Sequence, residues 1–429
     1  MSLTIAPSTR RRYDQVNVRV DSLRDGQRLL HPIVDKSGTL LLADGNTVTA
    51  NFKRLLAGRG IEMVTISLAD ARNLSASAET VVFSAEQTNP VRLETELAAK
   101  LDCLINEGSL LVEDGESRLK DVVQAPGCQP YDPVQQDRVR HRLSLKRRAL
   151  EKIFKCAARG DAFTPAQITD AVSDYLREVT ADADCVLGVL QLAPRYVDLA
   201  EHCLQMSVLG MVVAIETGMS AKDVRNVGLA GLLHDFGMTL VPSELLETDR
   251  PLTEVEFLEI QKHPMHTLQL LQPLPGIPVV VPLICYQVHE RPNGTGYPRQ
   301  RQRQSIHPAA LILNVVDAYL ALIEERPYRQ ALHPYRAMEL LIRQAAEKSV
   351  DADSVRALLK VLSMFPIGTI VRLSDGSKAR VLRRNGDHYN APIVQIIEDV
   401  IGTPVDPLDE TSIVDPLKED LKIIGVLTA

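Results

Sequence analysis

The hydrophobic period of the chain changes twice. Between Val16 and Leu23 apolar and polar positions alternate, and they do so again over Leu29–Asp35 and Thr39–Asp44. That spacing predicts short, half-buried strands, separated by turns at Ser37-Gly38 and Asp44-Gly45. Thr49 is placed to cap a helix running through Leu56, with Gly58 and Gly60 ending it and a strand following over Met63–Ile66. From Thr164 to about Phe365 the period is helical. Val224, Val227, Leu229, Leu232 and Leu233 share one face of a helix over Asp223–His234, with Ser220 as its cap. Thr253 and Glu256 fit a capping box, and Pro264 and Pro308 suit first-turn positions. The Pro308 helix is expected to run through Asp317 to Glu324, and helices over Arg336–Glu347 and Ser354–Phe365 close the bundle. After Pro366 the period returns to two: a hairpin of Gly368–Gly376 and Lys378–Arg384 turns at Asp375-Gly376, and further strands cover Pro392–Ile397 and Leu421–Leu427.

Less patterned segments lie between. Residues 1–15 are polar and read as disordered. Leu93–Leu104 reads as a helix and Gln124–Pro133 as a linker. A basic helix then carries Arg138, Arg140, Arg142, Lys146, Arg147, Arg148, Lys152 and Lys155. Because Leu143, Leu145, Leu150 and Ile153 give it a buried side, it reads as a solvated connecting helix rather than a phosphate-binding patch. The expected layout is a disordered 1–15, a small β-rich domain over 16–70, a helical and linker region over 71–145, a helical domain over 146–365 and a small β domain over 366–429. In fold class this is multidomain α+β, a central all-α bundle flanked by β-rich terminal domains.

Composition narrows the function classes. The chain is 45% apolar and 24% charged, as globular proteins are, and with 4% aromatics and no Trp its core must be largely aliphatic. A net charge of −7 argues against a general binder of nucleic-acid polymers but allows a small anion held by local cations. The six scattered cysteines form no C-x-x-C pair and read as reduced thiols of a cytoplasmic protein. The N-terminus lacks the apolar run of a signal peptide, and no segment is expected to supply the ~18 apolar residues of a membrane span. The longest, Ile277–Val288, is broken by Pro278 and Pro282.

Candidate chemistry concentrates in the helical stretch, where seven of the ten histidines lie between His202 and His333. His234-Asp235 ends a predicted helix. His202, His263, His289 and Asp317 each belong to a different predicted helix or helix end. A mixed His/Asp set drawn from several helices is how a dinuclear metal site is built, with two ions about 3.5–4 Å apart sharing a carboxylate. His266 reads as structural, and Cys285, four residues before His289 in an apolar run, as an inert thiol. Glu290 reads as a supporting or salt-bridge residue. Arg299, Arg301 and Arg303 either help draw in an anionic ligand or form an exposed basic loop.

In motif order the chain resembles the HD-GYP family, a branch of the HD metal-dependent phosphohydrolase superfamily, over roughly Val197–Leu340. Asp198 stands four residues before His202, where relatives with three metals carry Glu. His234-Asp235-Phe236-Gly237-Met238 matches HDxGK except at its last position, and His263 matches the lone His. Val288-His289-Glu290 matches HHE without its first His. Asn293-Gly294-Thr295-Gly296-Tyr297-Pro298 matches DGxGYP with Asn for Asp, and Asp317 with Arg326-Pro327-Tyr328-Arg329 matches the final element. The resemblance implies hydrolysis of cyclic di-GMP, a bacterial second messenger, by a metal-bound hydroxide. It implies two or three divalent transition metals, iron or manganese. The implied ligands are His202, His234, Asp235, His263, His289 and Asp317, with Asp198 as an additional one, and His234 and Asp235 are the catalytic pair. Arg326 and Arg329 would meet phosphates, and Gly296, Tyr297 and Pro298 would wall the pocket. Protein partners in signalling and a homodimer are compatible with it; a nucleic-acid polymer and a membrane are not expected partners.

Two departures bear on activity. Val288 removes a nitrogen ligand and Met238 a lysine near the phosphate. Losing one charge-assisted contact costs about 1.5–3 kcal/mol, which is roughly ten- to hundredfold in rate. A second reading from another class therefore stands beside the enzyme: a weak or silent module acting as a cyclic di-GMP receptor or an interaction scaffold.

Overall fold

In the computed structural model the described residues are 15–35, 40–67, 70, 119–123 and 126–427, apart from 162, 191–194, 247, 249, 251, 273, 326–329 and 407. Of the segment expected to be disordered (1–15), residues 1–14 lie outside them, whereas Gln15 opens a strand that pairs with Ser67; the expected helix Leu93–Leu104 also lies outside them. The chain forms two compact units, Met1–Asp102 with Leu252–Lys262, and Cys103–Pro251 with His263–Ala429.

In the first unit, β1 (Gln15–Arg19), β2 (Ile33–Val34), β3 (Leu40–Leu42) and β4 (Met63–Ser67) form an antiparallel sheet in the order β1-β4-β2-β3. Helix α1 (Ala50–Gly58) begins where expected, because the Thr49 hydroxyl accepts the Phe52 amide at 3.1 Å. Leu29, Ile33, Phe52, Leu56, Val64 and Ile66 make its core. Buried Asp70 accepts the amides of Leu30 and His31, both at 2.8 Å. The Ser67 hydroxyl and Asp70 both meet the same His31 nitrogen, Nδ1, so this trio clasps a turn and has no relay geometry. Helix α6 (Glu254–Ile260) groups with this unit and carries the expected Thr253–Glu256 capping box.

The second unit is a helical body with a β domain at its C-terminal end. Its helices are α2 (Pro133–Arg159), α3 (Ala166–Leu190), α4 (Leu199–Glu216), α5 (Ala221–Leu233), α7 (His263–Leu271), α8 (Val280–Gln287), α9 (Pro308–Ile323), α10 (Pro334–Ala346) and α11 (Ala352–Leu362). Helix α2, the expected basic helix, begins at Pro133 because Asp132 caps it and Pro133 opens it. Val139, Leu143, Leu150, Ile153 and Phe154 are its buried face. Its cations reach across to α3: Arg142 pairs with Glu178, and Lys146 with Asp174 at 2.7 Å. Helix α4 is, contrary to the sequence expectation, long and apolar enough to cross a membrane by length and composition. However, 83% of that span is buried inside the helical body, as in a core helix.

Strands β7 (Ile370–Leu373), β8 (Lys378–Arg383), β9 (Ile393–Glu398), β10 (Ile413–Val414) and β11 (Ile423–Leu427) form an antiparallel sheet in the order β10-β9-β8-β7-β11. The end of β8 fastens this sheet to α3. That helix breaks at Asp182 (φ −160°, ψ 91°), and Asp182 Oδ1 recaps the continuing turn by accepting the Cys185 amide at 2.9 Å. Arg383, 2% exposed, places Nη1 3.0 Å from both Asp182 oxygens, donates Nε to Gln129 O at 2.8 Å and stacks 4.0 Å over the Tyr131 ring. Arg384 pairs with Asp184 beside it.

Candidate metal centre

Five segments of the helical body bring six predicted residues together. His202 lies in the first turn of α4, His234 and Asp235 at the end of α5, His263 at the start of α7, His289 just past α8, and Asp317 in α9. Small residues allow the helices this close. A Cβ on Gly231 would fall within 2.9 Å of the α4 backbone at Met206 and Ser207. A Cβ on Gly237 would collide with His263 O and lie 2.5 Å from Thr267 N. Thr267 spans the same junction, donating its hydroxyl to His234 O at 2.9 Å and accepting the Gly237 amide at 2.8 Å. Gly237→Ala is therefore expected to force the His263 turn away from Asp235. Overpacking of this kind costs roughly 1–3 kcal/mol, read by denaturant unfolding; an unchanged midpoint would show that the turn yields freely.

Asp235 is the hub. Its Oδ1 lies 3.4 Å from His234 Nε2, 3.1 Å from His263 Nε2 and 3.5 Å from His289 Nε2. Asp317 faces His202 Nε2 with Oδ1 and His289 Nδ1 with Oδ2, each at 3.4 Å. His234 is completely buried, and its Nδ1 lies 2.9 Å from Gly231 O, so that nitrogen carries the proton and Nε2 turns a lone pair into the cluster. His234 Nε2 and Asp235 Oδ1 are buried without a hydrogen-bond partner of good geometry. The ligand atoms of His202, His234 and Asp317 lie within 4.8 Å of one another, as do those of His234, Asp235 and His289. Unpartnered lone pairs converging from nitrogen and carboxylate oxygen suit a divalent transition metal.

The electrostatics follow from burial and neighbouring charge. Burial, aided by His202 and His289 and opposed by Asp235 and Asp317, holds His234 down at about 4, neutral and fit to ligate. Burial also opposes charge on Asp235, but His234 and His263 outweigh it and hold the carboxyl well below its usual range. Asp317 is depressed in the same way by His202 and His289. Burial disfavours protonated His202 and His289, yet facing carboxylates raise them, His202 to about 10 beside Glu324 and Asp317 and His289 to about 9 beside Asp235 and Asp317.

The Gly-x-Gly-Tyr-Pro loop closes one side. Tyr297 stacks on His289 with ring centroids 4.9 Å apart and planes 10° from parallel, and the Tyr297-Pro298 bond is cis. A Cβ on Gly296 would fall 2.5 Å from His289 O, so only glycine fits there. Glu290 anchors the loop by accepting the Arg299 amide at 2.6 Å and the Arg301 amide at 2.8 Å, and its burial raises it to about 7. Arg303 turns away to Asp351 at 2.7 Å and Asp353 at 3.4 Å.

Other expected site residues lie elsewhere. Asp198 is not brought into the cluster. Its Oδ1 caps α4 by accepting the Glu201 amide at 2.9 Å, and its Oδ2 pairs with Arg147. The side chain is one methylene shorter than Glu and is held by these two partners. Val288 is buried in the apolar core, and its carbonyl accepts from Asn314 Nδ2 at 2.8 Å. Cys285 packs in the core with its thiol on Ala230 O, and burial pushes its pKa up. Arg326 and Arg329 lie outside the described residues. Sequence reasoning missed Glu324, which meets His202 Nδ1 at 2.7 Å. The available signal was its spacing of two helical turns from Asp317.

Residues 192–353 match the family model described as HD domain. A cyclic di-GMP phosphodiesterase of Pseudomonas aeruginosa is 29% identical over 64% of this chain and 67% of its own length. The cyclic di-GMP phosphodiesterase response regulator of Xanthomonas campestris is 33% identical over 36% of this chain and 41% of its own. A 3'3'-cGAMP-specific phosphodiesterase of Vibrio cholerae is 30% identical over 36% of this chain and 35% of its own. The chain thus spans about two thirds of the first relative and well under half of the other two.

Proposed function

We propose, from the premise that the helical body of this chain is an HD domain of the HD-GYP type, that the protein is a metal-dependent phosphodiesterase hydrolysing cyclic di-GMP. The observation that carries this reading is the convergence of three imidazole nitrogens on Asp235 Oδ1 at 3.1–3.5 Å, with Asp317 opposite. His202, His234 and Asp317 would hold one ion, and Asp235 and His289, with His263 beside them, a second; the single Nε2 lone pair of His234 can serve one ion at a time. Iron and manganese suit this mixed nitrogen and oxygen set. Bound ions supply Lewis acidity toward a phosphodiester and make water acidic enough to react near neutral pH. The chain's own part is to hold the ligands in place. The Gly231 carbonyl fixes the His234 tautomer, Tyr297 packs against His289, and Glu290 keeps the Tyr297 loop over the site. The five described cysteines are free, in keeping with a reducing bacterial cytoplasm.

The test is elemental analysis of protein purified anaerobically, with turnover of cyclic di-GMP and of 3'3'-cGAMP on the same sample. Two or more metals per chain with steady cyclic di-GMP turnover supports the enzyme. Metals and nucleotide binding without turnover identify a receptor. One metal or none, without nucleotide binding, removes both. Met238 lies half-buried in the turn after Asp235, so Met238→Lys is expected to regain one charge-assisted contact. At about 1.5–3 kcal/mol this raises kcat/KM roughly ten- to hundredfold; an unchanged kcat/KM would clear Met238 of limiting the rate. Val288→His places a polar ring in the apolar core and should lower stability by roughly 1–3 kcal/mol, seen as an earlier denaturant midpoint.

A further inference from the structure

We propose that Glu324 is a positioning residue for the metal centre, orienting His202 so that its Nε2 serves the group formed with His234 and Asp317. The inference rests on the metal-centre reading above and concerns one of its two ligand groups.

The backbone fixes Glu324 in place. It ends α9, donating its amide to Leu320 O, and it begins the two-residue strand β6 (Glu324–Glu325). That strand pairs in parallel with β5 (Arg195–Tyr196), so Arg195 stands opposite Glu324 just ahead of α4. The bridge brings the end of α9 against the first turn of α4, where His202 lies. Asp317 and Glu324 are seven residues apart, about two helical turns, and so project from one face of α9 at different heights. His202 fits between them: Glu324 Oε1 is 2.7 Å from Nδ1, and Asp317 Oδ1 is 3.4 Å from Nε2. Glu324 is 3% exposed, so the contact is shielded from water.

An imidazole held this way has a set tautomer. With Nδ1–H donating to the carboxylate, the neutral ring that would bind a metal has its Nε2 lone pair toward Asp317 and His234. A carboxylate acceptor also makes the ring a stronger ligand than a neutral acceptor does. His234 and His289 are held differently. His234 Nδ1 faces the neutral Gly231 carbonyl, and His289 Nδ1 faces Asp317. Glu324 therefore acts selectively on the group containing His202.

The experiment is a manganese titration of the full chain after chelator stripping, followed by the electron paramagnetic resonance of bound and free ion. Wild type is expected to show two classes of site. Glu324→Ala should weaken one class by about ten- to hundredfold and leave the other at wild-type affinity. Glu324→Gln keeps an acceptor oxygen at nearly the same volume but lacks the charge, and should lie between the two. If Glu324→Ala does not fold, Glu324→Gln carries the test, with a loss confined to one class. Wild-type binding in both variants, equal loss at both classes, or no difference between Gln and Ala overturns the positioning role. A wild-type chain that binds no manganese overturns the metal-centre reading, and this inference with it.

Discussion

Asp235→Ala is expected to bind fewer than two metals per chain and to lose about 10²–10⁴ in cyclic di-GMP turnover. Asp235 Oδ1 lies within 3.5 Å of three imidazole nitrogens from three different segments. Removing it leaves His234, His263 and His289 with no shared anionic partner in a buried site. Breaking a buried charged set by deleting one member costs about 3–5 kcal/mol, and each 1.36 kcal/mol is tenfold in rate, which gives the range stated. Asp235→Asn separates charge from shape, because its carbonyl oxygen can occupy the Oδ1 position while the negative charge is gone. It should retain the fold and lose metal nearly as far as alanine does. Elemental analysis and turnover on the same preparations read both effects. Full metal occupancy in Asp235→Ala would show that the imidazoles and Asp317 suffice, and would move the bridging role away from Asp235.

Arg383→Met is the substitution with the largest expected cost to stability. The guanidinium is buried against Asp182, the Gln129 carbonyl and the Tyr131 ring, and it joins the C-terminal sheet to the break in α3. Methionine replaces the aliphatic stem without the guanidinium and leaves Asp182 buried and unpaired, a loss of about 3–5 kcal/mol. The double substitution Arg383→Met/Asp182→Asn should recover part of that loss. Asparagine removes the uncompensated charge and keeps an oxygen for the Cys185 amide. Denaturant unfolding of Arg383→Met, Asp182→Asn and the double variant measures the coupling directly. A loss below about 1 kcal/mol for Arg383→Met would mean that water or a side-chain shift repairs the site, and that the pair is a weak joint.

Local pattern carried much of the architecture. Thr49, Ser220 and Thr253 cap the helices that their positions indicated, because a cap is a contact over three residues and is written in adjacent sequence. The terminal sheets and the helical body also follow from period, since burial of one face imposes it. The candidate ligands were legible as residue types in a motif order: His202, His234, Asp235, His263, His289 and Asp317 do converge.

The outcomes that sequence alone left undecided depend on contacts between distant segments. Asp198 has the right spacing from His202, yet Arg147, 51 residues earlier, holds it outside the cluster. Glu324 carries no motif signal of its own, and it meets His202 because a two-residue bridge joins the end of α9 to the start of α4. Arg383 and Asp182 are 201 residues apart and look like two surface charges until the helix break and the sheet bury them together. Sequence determined which segments are helix or strand and which side chains could ligate, because periodicity, capping and residue chemistry are local. Tertiary structure decided which carboxylate faces which imidazole and which charges are paired, because a buried charge takes whatever partner packing brings within about 3 Å.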